Sequence, residues 1–353
     1  MTKRVDIAIV GGGVIGLSIA WRAAQAGVGQ VAVFDPELAT DTPAQSSWAA
    51  AGMLAPVTEV HYGEEALLTL TLAARDRWAA FAAEVEDAGR ISPGYRTAGT
   101  LSVARDADDL ARFNDIATFQ AKLGLEVTRL RSREARALEP ALSPRVRGAF
   151  AVTGDHSVDN RALVLALRAA CRASGVELIA RQVRLVTELD AGTVIVAAGA
   201  ASNRLIPELG VRPVKGQLLH LRGEGLLTRT IRGVDAYLVP RGDGRLIVGA
   251  TVEEKGEDVA ATAGGIYELL RAAYELVPGV TELAFTEAVV GLRPATLDNA
   301  PVIGRWDDRL IVATGHYRNG ILLAPVTAEL VVKLLETGQV PALGLPFSPE
   351  RFA

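Results

Sequence analysis

The sequence has 353 residues, of which 49% are hydrophobic and 22% are charged, and its formal net charge is −4. Its length exceeds the usual size of a single core, and its apolar content excludes a largely disordered chain. The near balance of 37 basic and 41 acidic residues gives no electrostatic reason to expect nucleic acid as a partner. One cysteine and four histidines exclude an internal disulfide and a multi-cysteine metal site, so no metal is expected.

The cellular location is predicted from the apolar segments. No segment reaches the ~18 apolar residues that a membrane span requires. The start of the chain, MTKR followed by an apolar stretch, resembles a signal peptide. Asp6 interrupts that stretch, however, and a glycine cluster would fall in the removed part. We therefore expect a cytoplasmic protein without integral membrane association.

The first 35 residues predict a βαβ unit. Residues 4–10 are a short β-rich run, residues 14–26 contain helix formers, and residues 30–35 form a second apolar run that ends in an acid. Gly27 follows the predicted helix, where a C-terminal glycine is favoured. The unit has about 30 residues, which is the size expected for this motif.

The later elements predict two interleaved domains. Helical patterns cover 65–87, 106–123, 132–139, 160–173, 264–277 and 320–336. Strands are expected at 95–104, 193–199, 284–293 and 309–315, with a β-hairpin over 176–189 and an antiparallel sheet over 213–252. Parallel-sheet elements occur at the start, middle and end of the chain, and antiparallel elements lie between them.

A glycine motif carries the first chemical signal. Gly11, Gly13 and Gly16 form GxGxxG between the first predicted strand and helix, and Asp35 ends the second strand. In this context glycines allow a tight turn, close approach of the backbone to a pyrophosphate and close helix packing, while the acid accepts hydrogen bonds from a ribose. The sequence therefore predicts a bound dinucleotide, although the motif does not distinguish NAD from FAD.

Two further segments favour a flavin. Residues 46–53 form a loop of small residues that can bring backbone N–H groups near a cofactor. Residues 315–325, GHYRNGILLAP, predict a strand end, a tight loop and a helix start. That helix N-terminus can stabilise negative charge on a reduced flavin. Arg293 and Arg318 lie near these elements, and an arginine fork matches the carboxylate of an amino-acid substrate.

These motifs together resemble those of the glycine oxidases, within the D-amino-acid oxidase family of FAD-dependent amine oxidases. The resemblance spans nearly the whole chain in the correct order, and the C-terminal motif is the most specific. It is carried by GGGVIG (11–16), SSWAAAGML (46–54), PVKGQ (213–217), YLVPR (237–241), VGAT (248–251), GLRP (291–294) and GHYRNGILLAP (315–325).

The resemblance implies a fold and a domain division. The fold class is α/β plus α+β, with a glutathione-reductase-type Rossmann FAD domain interleaved with an antiparallel-sheet substrate domain. The FAD domain would comprise residues 1–88, 145–212 and 290–353, and the substrate domain residues 89–144 and 213–289.

The resemblance also implies the site residues. Arg293 would bind the substrate carboxylate, Tyr237 would assist it, Arg318 would make a second substrate contact and Met53 would line the pocket near the flavin. Noncovalent FAD would be held by Gly11, Gly13, Val14, Ile15, Gly16, Asp35, Ser46, Ser47, Ala51, Gly52, Met53, Val183, Gly315, His316, Tyr317, Arg318, Asn319, Gly320, Ile321 and Leu322.

The sequence departs from the family pattern at three places, all of which concern the predicted pocket or its edge. Asp235 stands where a histidine is expected two residues before the pocket tyrosine, and Val252 stands where a methionine follows GAT. The stretch between Val183 and Thr193 is also shorter than the usual hairpin. The pocket shape, its polarity and a strict preference for glycine therefore stay open.

The implied reaction is oxidative deamination of glycine, sarcosine or small D-amino acids. A hydride would pass to flavin N5, and the products would be a 2-oxo acid, ammonia or an amine, and H₂O₂. No side chain is expected as an obligatory acid or base, His316 is expected to make backbone contacts, and Cys171 is expected in the core. The alternatives are a broader D-amino-acid oxidase, a quinone-linked dehydrogenase, an NAD-dependent dehydrogenase or a nonenzymatic dinucleotide-binding protein. The resemblance further implies a homotetramer and a role in thiamine biosynthesis.

Overall fold

The computed structural model describes residues 4–43 and 46–352, so the first residues of the signal-peptide-like start lie outside the described part. The described residues form eight α-helices: α1 Val14–Ala26, α2 Glu65–Gly89, α3 Ala107–Lys122, α4 Ser132–Leu138, α5 Asn160–Ala173, α6 Ser202–Leu205, α7 Ala263–Leu276 and α8 Gly320–Thr337. None of these helices is long and apolar enough to cross a membrane.

The strands belong to three sheets. In chain order they are β1 Val5–Val10, β2 Val31–Phe34, β3 Met53–Leu54, β4 Thr100–Ala104, β5 Thr128–Arg131, β6 Gly148–Val152, β7 His156–Ser157, β8 Glu177–Ile179, β9 Ala191–Val196, β10 Arg212–Arg222, β11 Thr230–Arg232, β12 Tyr237–Pro240, β13 Arg245–Gly249, β14 Ala284–Ala295, β15 Val302–Arg305 and β16 Leu310–Thr314.

The first sheet has six strands in the order β15-β16-β9-β1-β2-β8. The strands from β16 to β8 pair in parallel, and β15 is antiparallel to β16 at one edge. Continuous apolar runs such as β2, buried at every position, are typical of parallel strands covered on both faces. Helices α1, α2, α5 and α8 supply residues to the core beside this sheet, where Trp21 and Trp78 are fully buried.

The second sheet has eight strands in the order β14-β10-β13-β12-β11-β4-β6-β5. Its longest pairing is the antiparallel one between β10 and β14, which runs from Arg212 opposite Ala295 to Arg222 opposite Ala284. Helix α7 covers this sheet with Leu269 and Leu276. A small third sheet joins β3 to β7.

The predicted fold class is confirmed, and most elements lie within a few residues of their predicted bounds. Helix α5 has the predicted bounds. The β-hairpin over 176–189 is wrong: only β8 forms there, and a 3-10 turn at Val186–Glu188 replaces the second strand. Glu177 and Ile179 of β8 extend the parallel sheet beside β2 instead of pairing with a hairpin partner.

Candidate active site

A cavity of about 690 Å³ lies between the two large sheets. One wall is formed by residues at the carboxyl ends of β1, β2, β9 and β16, and the opposite wall by residues of β10, β12, β13 and β14. Ligands of open α/β sheets bind outside the carboxyl ends of the strands. The arrangement of the sheets therefore places a cofactor wall opposite a wall from the antiparallel sheet.

The glycine motif forms the corner of this cavity. Gly11 has a φ of +119°, and a Cβ there would clash with the carbonyl of Ala197 after β9. A Cβ on Gly16 would clash in turn with the carbonyl of Gly11, so the start of α1 packs directly on the turn. Gly13 is the N-cap of α1 and supplies no capping side chain. The N-terminus of α1 is therefore close-packed and faces the cavity through Gly13 and Val14.

Asp35 lies at the end of β2 and also faces the cavity. Its Oδ2 accepts a hydrogen bond from the Gly12 N–H (2.7 Å), and its Oδ1 accepts one from the Glu37 N–H (2.8 Å). These bonds fix the carboxylate while leaving it acceptor capacity.

The α1 N-terminus has no side chain at its N-cap Gly13, although the Val14 N–H donates to the Ser47 hydroxyl (3.0 Å). This helix end and a fixed carboxylate at the next strand end fit a pyrophosphate and a ribose. The residues present therefore fit a dinucleotide such as FAD.

The loop of small residues closes one side of the cavity and is held by both halves of the molecule. The Ser46 hydroxyl donates to Leu292 O (2.5 Å), and the Asn160 amide donates to Ser47 O and Trp48 O (2.8 and 2.9 Å). Arg241 donates to Ala51 O (2.8 Å). The loop is therefore held both by its own Ser46 hydroxyl and by side chains of other segments that bind its backbone carbonyls.

The C-terminal motif forms a turn that joins both walls. The Tyr317 N–H donates to Pro294 O (2.8 Å), which places this turn beside the residue that follows Arg293. The Asn319 N–H donates to His316 O (2.8 Å), and α8 begins at Gly320 without a side-chain cap. The N-terminus of α8 therefore also reaches the cavity and can stabilise negative charge on a ligand.

The environment of the His316 side chain does not suit an acid or base in catalysis. Its ring Nε2 lies 3.0 Å from Thr327 Oγ1 inside α8, and the side chain is buried. Burial lowers the pKa of His316 from 6.5 to about 3, so the ring is neutral at physiological pH. This environment agrees with the expectation that the His316 position contributes backbone contacts.

Arg293 extends from β14 into the cavity. Its Nη1 donates to Thr251 O (3.1 Å) and Lys215 O (3.3 Å). The guanidinium lies over Gly216, because a Cβ there would be 2.5 Å from its Nη2. Within the described part of the chain, no carboxylate forms an ion pair with Arg293. Its positive charge is therefore available to an anionic ligand.

Tyr237 lies beside Arg293, and its ring occupies the space left open by Gly249 of β13. A Cβ on Gly249 would be 2.5 Å from the Tyr237 phenol oxygen, so the ring covers that glycine. Burial raises the pKa of Tyr237, against the opposing positive charge and hydrogen bond of Arg293. The phenol therefore stays protonated and can donate a hydrogen bond beside the guanidinium.

Arg318 has a different environment, because two glutamates neutralise it. Its Nε lies 3.1 Å from Glu59 Oε2, and its Nη2 lies 3.4 Å from Glu64 Oε2. Glu59 also pairs with Arg232 of β11, whose pKa is lowered to about 10 by burial and by the charge of Arg318. Neither Glu59 nor Arg232 lies in a recognisable motif, so neither was predictable as a site residue.

Eighteen of the predicted site residues line the cavity: Gly11, Gly13, Val14, Ile15, Asp35, Ser46, Ser47, Ala51, Gly52, Met53, Tyr237, Arg293, His316, Tyr317, Arg318, Asn319, Gly320 and Ile321. Four others lie elsewhere. Gly16 and Gly315 are packing positions, Val183 lies in the core beside β1 and β2, and Leu322 accepts the Trp78 indole N–H at its carbonyl. Their direct contact with a cofactor stays a prediction.

The departures from the family pattern also face the cavity. An ion pair with Arg105 (2.8 Å) holds the Asp235 carboxylate in place at the rim of the cavity. Val252 is 66% exposed although it lines the cavity, so a ligand would cover it. Cys171, the only cysteine of the sequence, is buried among α1 and α5 residues, as expected, and burial raises the pKa of its thiol to about 12.

The corner built from Gly11, Gly13 and Asp35, in a cavity at the carboxyl ends of parallel strands, defines the protein as a dinucleotide-binding one. A family described as FAD dependent oxidoreductase matches residues 6–334. This match covers most of the chain, and the chain belongs to that family. FAD is accordingly its cofactor, and the corner around Gly11 and Asp35 fits it.

Individual relatives agree with this assignment. The chain is 37% identical to the bifunctional protein ThiO/ThiG of Synechocystis sp., with all of this chain but 55% of that protein covered. It is 35% identical to a glycine oxidase of Geobacillus kaustophilus, covering 99% of this chain and 98% of that protein. The crystal structure of a glycine oxidase from Geobacillus kaustophilus superposes with a TM-score of 0.91 at 34% identity, over 98% of both chains. The chain thus spans about half the length of the bifunctional relatives that it matches.

Proposed function

We propose that this protein oxidises glycine and other small amino acids or amines, such as sarcosine and small D-amino acids, with FAD as its cofactor. The observation that carries the proposal is Arg293, a guanidinium without a carboxylate partner in the described residues, in the cavity that also contains the dinucleotide corner. The glycine oxidases among the relatives support the same chemistry.

The residues of the chain would act by binding and orienting the substrate. The Arg293 fork pairs with the substrate carboxylate, and the neutral phenol of Tyr237 donates a further hydrogen bond. With the carboxylate fixed, the Cα–H bond can be held within about 3–3.5 Å of the acceptor, an alignment that can lower the barrier by about 7–11 kcal/mol. When bound, FAD would supply the two-electron acceptor for the substrate, with O₂ as the final oxidant.

No side chain is required as an acid or base in this proposal. His316 is buried, its Nε2 is bonded to Thr327, and its pKa of about 3 makes it too weak a base, so the amine would lose its proton to solvent before it reacts. The oxidised product is an imine, which water hydrolyses. For glycine the balanced reaction is glycine, H₂O and O₂ giving glyoxylate, NH₃ and H₂O₂.

The substrate contact assigned to Arg318 is proposed as an indirect one. Glu59 and Glu64 already compensate its charge, so Arg318 would shape the wall and contribute little attraction for a carboxylate. Met53, Ala55 and Val252 leave a wall of moderate size, which suits small substrates.

We also propose that the two large sheets correspond to the cofactor and substrate domains. Strand β6 pairs with β4 and β5 in the second sheet, so the division after residue 144 moves beyond Val152. Strand β14 is continuous across the division at 289/290 and supplies Arg293. A homotetramer, a cytoplasmic location and a role in thiamine biosynthesis stay predictions.

The test is turnover by the purified protein of glycine, sarcosine, D-alanine and D-proline, with peroxide detection. The proposal expects peroxide with glycine or sarcosine as the preferred substrate. If none of the four substrates yields peroxide, the oxidase assignment is contradicted. If the same substrates react only with a quinone as acceptor, the protein is a dehydrogenase instead.

A further inference from the structure

Lys215 is a buried cation that the proposed reaction does not use. It lies on β10, and its side chain has no exposed surface. A buried ammonium group is costly unless it is fully paired. The partners of this one lie on a single segment, residues 251–262, which we call the strap.

The strap follows β13 and forms part of the cavity wall. It supplies Val252, Glu257 and Val259 to that wall, and both valines are more than half exposed. Glu257 of the strap also forms an ion pair with Arg204 of α6 (2.5 Å), so the strap contacts the cofactor half of the molecule. The strap therefore connects both walls of the cavity.

Lys215 holds the strap by its side chain and by its backbone. Its Nζ lies 2.5 Å from Asp258 Oδ2 and donates to Ala260 O (2.6 Å). Its backbone exchanges two hydrogen bonds with Glu253, each 2.9 Å long. The neighbouring Gln217, also buried, bonds to Glu253 and to Thr262, at the end of the strap. The strap is thus fixed at its beginning, middle and end from one strand.

The same contacts hold Arg293. Its Nη1 donates to Thr251 O, the first carbonyl of the strap, and to Lys215 O. Lys215 O also accepts the Glu253 N–H, so one carbonyl joins strap and guanidinium. A shift of the strap would therefore move an acceptor of Arg293 and the adjoining wall at Val252 together.

We propose that Lys215 is a positioning residue for substrate binding: by fixing the strap from beneath, it sets the position of the Arg293 guanidinium and closes the wall beside it. This inference rests on the proposed function for the identity of the substrate. The carboxylate site itself can be tested without turnover.

The test compares Lys215→Met with Glu254→Gln as a matched control on the same strap. Among the described residues, Glu254 forms one ion pair, with Arg212 at the start of β10; both side chains are exposed, so loss of this pair should not loosen the strap. In the FAD-loaded Lys215→Met protein we expect amide hydrogen exchange within residues 253–260 to accelerate at least tenfold. The KM for glycine and the Kd of acetate, measured by calorimetry, should rise together about tenfold, with kcat within twofold and FAD content unchanged. Glu254→Gln should match the wild type in every measurement.

Unchanged exchange in the strap, or faster exchange with unchanged Kd for acetate, would overturn the inference. If Lys215→Met does not fold, Asp258→Asn takes its place, because it weakens the same contact from an exposed residue while the lysine stays intact. Asp258→Asn should raise the Kd of acetate at least threefold, and an unchanged Kd would overturn the inference. Failure of the wild type to oxidise any of the four substrates would refute the proposed function alone, since acetate binding and hydrogen exchange do not depend on turnover.

Discussion

The two arginines assigned to substrate binding differ in how their charges are compensated. Arg318 has Glu59 and Glu64 as partners, whereas Arg293 is held by backbone carbonyls that do not neutralise it. A charged group without a counter-ion interacts more favourably with an incoming carboxylate than one already paired. Recognition of the substrate is therefore expected to depend on Arg293.

Replacing Arg293 tests this directly. Arg293→Ala should lower kcat/KM for glycine about a hundredfold, because loss of a charge-assisted pair costs about 3 kcal/mol. Arg293→Lys should lose less, since it keeps the charge but not the planar fork. Steady-state kinetics with parallel measurement of bound flavin checks this. Loss of FAD from either variant would show instead that Arg293 is structural.

Gly216 makes room for that guanidinium. Gly216→Ala should displace Arg293 and raise the KM for glycine about tenfold, since its Cβ would lie 2.5 Å from Nη2. Bound FAD should be unaffected. Gly264→Ala is the control, because its Cβ meets no atom within 4 Å. Equal kinetics for the two variants would refute the role of the open space above Gly216.

His316 gives a prediction about pH. Its pKa is lowered from 6.5 to about 3 by burial, so between these values only the unfolded state binds the proton. The stability of the protein therefore falls as the pH drops below 6.5. His316→Gln removes this linkage. The unfolding free energy of the variant minus that of the wild type should therefore be about 2 kcal/mol larger at pH 5 than at pH 7. Denaturant unfolding at both pH values measures it, and parallel pH profiles would contradict the assigned environment.

At the scale of elements, the βαβ corner was predictable because its signals are local. The apolar run of β1, the glycines and the acid after β2 lie within 35 residues, and each has its own steric or electrostatic reason. The failed hairpin over 176–189 shows the limit of such signals. Glu177–Ile179 has strand propensity, but the parallel edge of β2 pairs with it, and this partner is distant in sequence.

The glycines of the corner should separate cofactor binding from folding. Gly13 has a φ of −78°, which any residue adopts, so Gly13→Val should block the pyrophosphate while the protein stays folded. Gly11 has a φ of +119° and no room for a Cβ, so Gly11→Ala should lower the melting temperature of the apoprotein as well. Calorimetry of both apoproteins with flavin titration distinguishes the two effects. Normal FAD affinity in Gly13→Val would refute the assignment of the motif.

At the scale of the whole molecule, the two large sheets meet where the C-terminal turn contacts the end of β14, through the Tyr317–Pro294 hydrogen bond and the Ala295–His316 bridge, and the cavity lies between the sheets there. The family motifs indicated which segments meet there, and most of their residues line the cavity. The pairing of Glu59 with Arg232 and Arg318 was not predictable, since it joins three distant segments by charge alone. The contacts between Lys215 and the strap likewise depend on the β10–β14 register, which is a tertiary property.

The most direct test of the central claim is the visible spectrum of the purified protein with glycine under anaerobic conditions. The proposed function predicts an oxidised flavin band that bleaches when glycine is added and returns when O₂ is admitted, with release of glyoxylate. The bleaching should be lost in Arg293→Ala at the same glycine concentration. A flavin band that persists with glycine, sarcosine and small D-amino acids alike, or a purified protein that binds no flavin, would contradict it.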